Sequence, residues 1–384
     1  MHPLIRNWEG QFPDLSEIFQ PEEFDWLLVQ DKPDLDKNGK PILRRTTAVH
    51  RAARRSRPKI RKNIPKLFEI YKNVNYIDES GLTHFHVSCK YGYKDVVKEF
   101  LELRQDPNCL EQKSVDPPLH LALKHYHKDM VELLLRGGAD ANLANKDGLT
   151  PLHVISKLGH YYYCELVELF FKINNELNKL VKVNAQDKLG QTPLHFALSH
   201  YRISVAEFLL IKGADPNLPS NDGSTALHAI CKTQNDGDLA TILFNTAVGE
   251  IQKMKVDAKD KLGRTPLQWA VANLLSDVVD VLLENGADLS SFVFPTEDYF
   301  AVRYKPDCTL QKVVFRTMSI IEFLENKGYE LDQTAALMIM KLFAKHGLID
   351  ELGDIDECLH SDEDFMSLAK EQMVSPSLSL YDFL

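Results

Sequence analysis

Six histidines recur in one setting, and histidine is the side chain best suited to proton transfer or metal binding near neutral pH. Each closes a short cluster: TTAVH ending at His50, LTHFH at His86, DPPLH at His120, LTPLH at His153, QTPLH at His195 and STALH at His228. Catalysis would need a nucleophile, a base and an orienting group brought together, and no motif in the chain assembles them. The His84-Phe85-His86 pair could suggest zinc, yet no cysteine or carboxylate stands at ligand spacing, so it reads as structural. Asp34, Asp36, Asn38 and Gly39 match the first half of a calcium loop. The position that needs a bidentate glutamate is Arg45, so the segment reads as an ordinary Asp/Asn/Gly turn. Phosphate-binding glycine loops, HExxH and GxSxG are absent. No catalytic residue, metal or cofactor is expected, and the chain reads as a non-enzyme.

The spacing of the clusters says what carries them. A seventh copy, RTPLQ, puts Gln268 in the histidine slot, and successive copies lie 36, 34, 33, 42, 33 and 40 residues apart. Thr150, Thr192 and Thr265 are placed to cap a helix by accepting a free backbone N–H. Pro151, Pro193 and Pro266 follow at the first helical position, where the missing N–H costs nothing. A turn leads to a second helix, as in KDMVELLLRGGAD, with Met130, Val131, Leu133 and Leu134 spaced to bury one face and Gly137 or Gly138 ending it. An exposed finger, Asp140 to Gly148, precedes the next Thr-Pro.

A period near 33 with T-P-L-H resembles the ankyrin repeat. The likeness runs from about residue 44 to 292, on Gly148, Thr150, Pro151, Gly190, Thr192, Pro193, Gly213-Ala214-Asp215, Gly223, Gly263, Thr265, Pro266 and Gly286-Ala287-Asp288 among others. It implies an all-α solenoid of about seven repeats. It also implies that the motif histidines hydrogen-bond neighbouring turns, and that fingers and first helices line a concave groove for a protein partner. The longer intervals predict extra length near Phe171–Lys182 and Ala247–Lys255, and the first copy is lengthened near Arg54–Ile64. LRRTTAVHRAA, GADLSSFVFPTEDYF and the closing PSLSLYDFL further resemble insect ankyrin proteins with a C-terminal PRANC region, of which this chain holds only the start. In that family the region resembles an F-box and recruits a cullin-type ubiquitin ligase adaptor; no L-P-x-E-I-like core is visible.

Domains are expected at 1–40 (a helical flank carrying Trp8, Phe24 and Trp26), 41–293 (the solenoid) and 294–384 (a helical module capping it). Helices are expected over Val313–Glu325, from Asp332 or Thr334 to His346, and over Asp362–Met373. The longest apolar run is six residues, Ala335 to Met340, too short to cross a bilayer. The start lacks the apolar segment of a secretory signal, so a cytoplasmic or nuclear home is expected. The six cysteines are scattered and read as buried hydrophobes.

Charge is uneven. The net charge of -10 argues against general nucleic-acid binding. Yet Arg44 to Lys66 holds ten basic and no acidic residues, and Arg54, Arg55, Arg57, Lys59, Arg61 and Lys62 could form an import signal or a solvated insert. Asp350 to Asp364 holds eight acidic residues and reads as a solvated loop. Near the ends of the first helices lie Tyr91, His125 with Tyr126, Tyr161, and His200 with Tyr201. These aromatics serve either a partner interface or packing between helices. Candidate finger residues for partner contact are Lys146, Lys188, Leu189, Asn221, Lys261 and Leu262. Asn142 and Asn217 resemble substrates of an asparaginyl hydroxylase, though a local capping role is the plainer reading.

Overall fold

The computed structural model describes residues 46–54, 64–69, 71, 74–109, 115–158, 163–233, 238–246, 254–296, 310–345, 373–375 and 378–379. The expected flank at 1–40, the Asp34–Gly39 turn, the acidic run and residues 362–372 lie outside them. The chain divides into two compact units, Met1–Lys188 and Leu189–Leu384. In the first, the helices are α1 (Ala48–Arg54), α2 (64–69), α3 (His84–Tyr91), α4 (Lys94–Glu102), α5 (Pro118–Lys124), α6 (Lys128–Arg136), α7 (Pro151–Lys157) and α8 (Tyr163–Glu176). In the second they are α9 (Pro193–Ser199), α10 (Ile203–Ile211), α11 (Ala226–Cys231), α12 (Asp238–Thr246), α13 (Pro266–Ala272), α14 (Ser276–Glu284), α15 (Leu310–Asn326) and α16 (Gln333–Lys345). First helices pack on first helices (α1, α3, α5, α7) and second on second (α4, α6, α8); the second unit repeats this with α9, α11, α13 and α10, α12, α14. The architecture is the expected all-α stack of helix pairs.

The core is set by spacing within each pair. In α6, Met130, Val131, Leu134 and Leu135 are buried, while Leu133, expected on that face, is half-exposed. Burying such side chains contributes about 1.5–3 kcal/mol each. The length expected near Phe171 appears as helix: α8 has 14 residues where α4, α6, α10, α12 and α14 have nine. After the repeats, α15 packs against α14. Its bounds and those of α16 lie within a few residues of expectation. Met373, expected at a helix end, instead begins a short strand, β1 (Met373–Ser375), antiparallel to β2 (Leu378–Ser379).

The first helices other than α5 begin with one device. The backbone N–H of the cap threonine donates to Nδ1 of the histidine three residues on: Thr47 to His50 at 3.1 Å, Thr150 to His153 at 3.1 Å, Thr192 to His195 at 3.2 Å and Thr225 to His228 at 3.2 Å. The threonine hydroxyl oxygen accepts in return from the backbone N–H of the histidine, which completes a capping box at α3, α7, α9 and α11. Because Nδ1 accepts, Nε2 carries the proton and donates outward. His120 reaches the carbonyl of Leu149 at 2.7 Å, His195 that of Ser224 at 2.9 Å and His228 that of Arg264 at 3.0 Å. Each carbonyl belongs to the next finger. Gln268 does both jobs with one amide: Oε1 accepts from Thr265 N–H at 3.0 Å and Nε2 donates to Val293 O at 3.1 Å. In α5 the cap is Pro117, which has no N–H to give, and Nδ1 of buried His120 has no hydrogen-bond partner.

Burial pushes the rings of His50, His86 and His120 down from 6.5 to about 4. The unfolded rings take up a proton near 6.5, the folded ones only near 4. Below pH 6.5 the unfolded chain therefore binds more protons, and stability falls as pH drops through the window from 6.5 to 4. Urea melts across that window should show midpoints falling with pH, by at most about 3 kcal/mol per ring. Replacing His86 and His120 with Gln, the residue used at 268, should flatten this dependence. An unchanged slope in that variant would show that other groups drive it.

Candidate functional site

The fingers are built by one acceptor at their base. Asn145 Oδ1 accepts from the N–H groups of Asp147 and Leu149 at 2.9 and 3.0 Å, and Asp260 Oδ1 accepts from Leu262 and Arg264, both at 2.9 Å. Asp78 Oδ1 does the same for Ser80 and Leu82, both at 2.9 Å. Burial alone would raise the Asp78 carboxyl. Hydrogen bonds from Ser80 and Leu82, the field of His50 and the Arg54 guanidinium outweigh it and hold the group below the usual carboxylate range. A glycine at positive φ closes each turn. At Gly148 (φ +82) an added Cβ would stand 2.7 Å from Lys188 N, so neighbouring tips touch through bare backbone. Lys188 N–H donates to Asp147 O at 3.1 Å. In the second unit Asn221 N–H donates to Leu189 O at 2.8 Å and Lys261 N–H to Asp222 O at 2.9 Å.

All six finger candidates, Lys146, Lys188, Leu189, Asn221, Lys261 and Leu262, present exposed side chains. Leu189 and Leu262 are 64% and 72% exposed, which is unusual for leucine and marks the DKLG tips as apolar spots in water. Behind them Trp269 is buried. Its indole N–H donates to Asp260 Oδ2 at 3.1 Å, and its ring lies 4.2 Å from the Arg264 guanidinium and 5.0 Å from Lys232 Nζ. That stack was not foreseen from the sequence; the aromatic directly after the motif slot is its one visible sign.

The aromatic candidates sit elsewhere. A first helix starts at a finger and ends at the turn to the second helix, so the two sets lie at opposite ends of a seven-residue helix, about 10 Å apart. Tyr126 and Tyr201 occupy that turn in the left-handed region, at φ +57 and +55, where the second repeat has Gly92 at φ +76. Holding a tyrosine there costs roughly 1–2 kcal/mol. Tyr126 lines an open groove of about 550 Å3 with Gly92, Lys94, His127, Lys128 and Glu165. Tyr91 instead packs inward, donating its hydroxyl to Ala53 O at 2.6 Å. His125 is exposed and His200 stacks on Phe196 with ring centroids 6.0 Å apart. Tyr161 lies outside the described residues, as do Arg55, Arg57, Lys59, Arg61 and Lys62 of the basic run; Arg54 pairs with Asp78 at 2.8 Å.

His84, Asn142 and Asn217 each hold a structural contact. His84 is buried and engaged at both nitrogens, with Val74 O at 3.1 Å and Thr47 Oγ1 at 2.7 Å, and Phe68, Tyr71 and Tyr76 surround it edge-on. Among the described residues no group of three or more His, Cys, Asp or Glu could hold a metal ion. Asn142 is no mere local cap: its amide donates to Leu180 O at 2.7 Å and accepts from Lys182 N–H at 2.8 Å, while Asn217 accepts from Lys255 N–H at 2.8 Å. These asparagines clamp the following repeat. Among the described residues no helix is long and apolar enough to cross a membrane.

Tyr201→Gly should leave stability unchanged or raise it by up to about 1 kcal/mol, since relief of strain offsets the entropy of glycine. Tyr91→Phe should cost about 1 kcal/mol by removing a hydrogen bond. Thermal melts decide the matter. A loss above about 2 kcal/mol for Tyr201→Gly would make its ring a packing element and remove the aromatic turn from consideration as a surface.

Comparison with known proteins bears on the whole stack. A family model described as ankyrin repeats matches residues 100–178, 119–220 and 204–292. A probable 26S proteasome regulatory subunit p28 of Saccharomyces cerevisiae is 34% identical over 161 residues, 40% of this chain and 67% of that protein. The human B-cell lymphoma 3 protein is 33% identical over 40% of this chain and 32% of its own length. A probable E3 ubiquitin-protein ligase of rice, XBOS33, is 31% identical over 47% of this chain and 34% of its own. Thus the chain spans about two thirds of the yeast protein but only about a third of the other two. With matches that together run from residue 100 to 292, and the cap, finger and helix-pair geometry repeated in both units, the chain belongs to the ankyrin-repeat family.

Proposed function

We propose that the chain is a non-catalytic scaffold that recognises a protein partner through the face made by its fingers and first helices. Ankyrin repeats in general are protein-interaction modules, and the finger geometry supports this use here. The carrying observation is that adjacent tips are joined by backbone hydrogen bonds while their side chains point into water. Such a platform is rigid before binding, so little entropy is lost in ordering it. In the second unit Leu189 and Leu262 offer apolar anchors with Lys261 as a basic rim, and in the first unit Lys146 and Lys188 present cations. A cytoplasmic or nuclear location fits this reading.

An adaptor role forms the second reading: the bound partner would be handed to a cullin-type ubiquitin ligase through the C-terminal region. Its support is the likeness of the closing residues, PSLSLYDFL, to the start of a PRANC region, together with the rice relative described as a ubiquitin ligase. Nucleic-acid binding through the basic run ranks below both, given the net charge of -10.

The test is affinity capture from cell lysate with the full chain and a Leu189→Asp, Leu262→Asp variant. We expect partners that depend on both leucines at an unchanged melting temperature. Capture of the same proteins in the same amounts by the variant would sink the finger-face reading. Ligase components that persist with the variant would favour the adaptor.

A further inference from the structure

One register of the repeat has a charge pattern that the finger face does not use. Four residues after each motif histidine stand Arg54, Lys90, Lys124 and Lys157, so four successive repeats of the first unit carry a cation at the same place. The register recurs at Lys232 in the second unit, while Ser199 and Ala272 interrupt it there. In a protein of net charge -10 this row stands out.

Three of these side chains reach toward a finger. Arg54 reaches Asp78 at 2.8 Å and Lys124 reaches Asp116 at 2.5 Å, both acids at the base of a finger. Lys232 does likewise toward Asp222 at 2.9 Å. These three therefore lie on the surface between first helices and fingers. Lys90 leans over the Tyr91 ring, its Nζ 5.3 Å from the centroid, and Lys157 is exposed. His125, which is exposed, follows Lys124 in register and gives a flat surface beside the charges.

We propose that this strip of the unit Met1–Lys188 docks an extended acidic peptide whose carboxylates meet Arg54, Lys90, Lys124 and Lys157 in turn. The proposal rests on the scaffold reading and names the chemistry of its partner. Packed helices lie about 8–10 Å apart. An extended chain in the polyproline II form has three residues per turn and advances about 3.1 Å per residue. Every third side chain of the peptide thus faces the strip and meets a new cation, and a residue between can lie on His125. A nucleic acid matches less well, with one charge per about 1.7 Å of duplex axis and the repulsion of a net acidic protein to overcome. A cation at the end of a short helix also stabilises the helix dipole. Ser199 and Ala272 show that the fold does not require one there.

The experiment is fluorescence anisotropy on the full chain with a labelled synthetic peptide bearing glutamate at every third position. Controls are the same peptide with glutamine, and one with glutamate at every second position. We expect binding that weakens with salt, and about tenfold weaker binding of both controls. The variant Lys90→Gln, Lys124→Gln, Lys157→Gln should lose about tenfold, whereas Lys98→Gln, Lys172→Gln on the second helices should lose nothing. Circular dichroism melts of both variants separate any loss of helix stability from loss of binding. Equal affinity for all three peptides, full affinity in the triple variant, or tighter binding of a single-stranded oligonucleotide at the same salt would overturn the proposal. If the peptide fails while lysate capture still depends on Leu189 and Leu262, the acidic partner falls and the scaffold stands. If neither binds, both fall.

Discussion

The fold depends on one hydrogen-bonded relay. At His195 and His228 a threonine N–H binds one nitrogen of an imidazole, and the other nitrogen binds a carbonyl of the next finger. The first bond starts a helix and the second fixes where the next repeat begins. A helix of seven residues is too short to be stable alone in water, so its cap and its neighbours must hold it. Histidine suits the task because a neutral imidazole is a donor at one nitrogen and an acceptor at the other, held rigidly apart. Gln268 shows that chemistry, not ring identity, is what the position demands, since an amide offers the same pair of functions.

This division of labour explains what could be read from the sequence. The helix pairs were legible because Thr, Pro and His mark the start of each first helix and glycine marks the ends. The finger candidates were legible because turn residues must face water. The aromatic turn lies at the ends of the first helices as expected, but its backbone was not legible, because Tyr126 and Tyr201 fill a left-handed position that a sequence reader assigns to glycine. Asn142 and Asn217 were read too locally, since their partners lie about 40 residues downstream, a separation that no motif spans. The strand at Met373 was read as helix because a short apolar run fits either period.

Much of the buried polar surface is satisfied, although Nε2 of His50 and His86 and Nδ1 of His120 have no hydrogen-bond partner. Asp260 takes bonds from Leu262, Arg264 and Trp269 at once, and Thr47 bridges two histidines. Such groups rigidify a core when complete and weaken it when a partner is missing. The finger and the first-helix face inherit that rigidity, which is what lets a small exposed set such as Leu189, Leu262 and the row of cations act as a shaped surface.

The Pro117-Pro118 pair has a mechanical meaning. In a stack where each repeat touches only its neighbours, stability travels by nearest-neighbour coupling. At α5 the imidazole of His120 is held from one side only, by Leu149, because proline has no N–H to offer. That repeat therefore keeps its bond to the next finger while the start of its own helix is held by the fixed backbone angle of Pro118 rather than by an imidazole, so coupling to the following repeat and initiation of the helix are separable there.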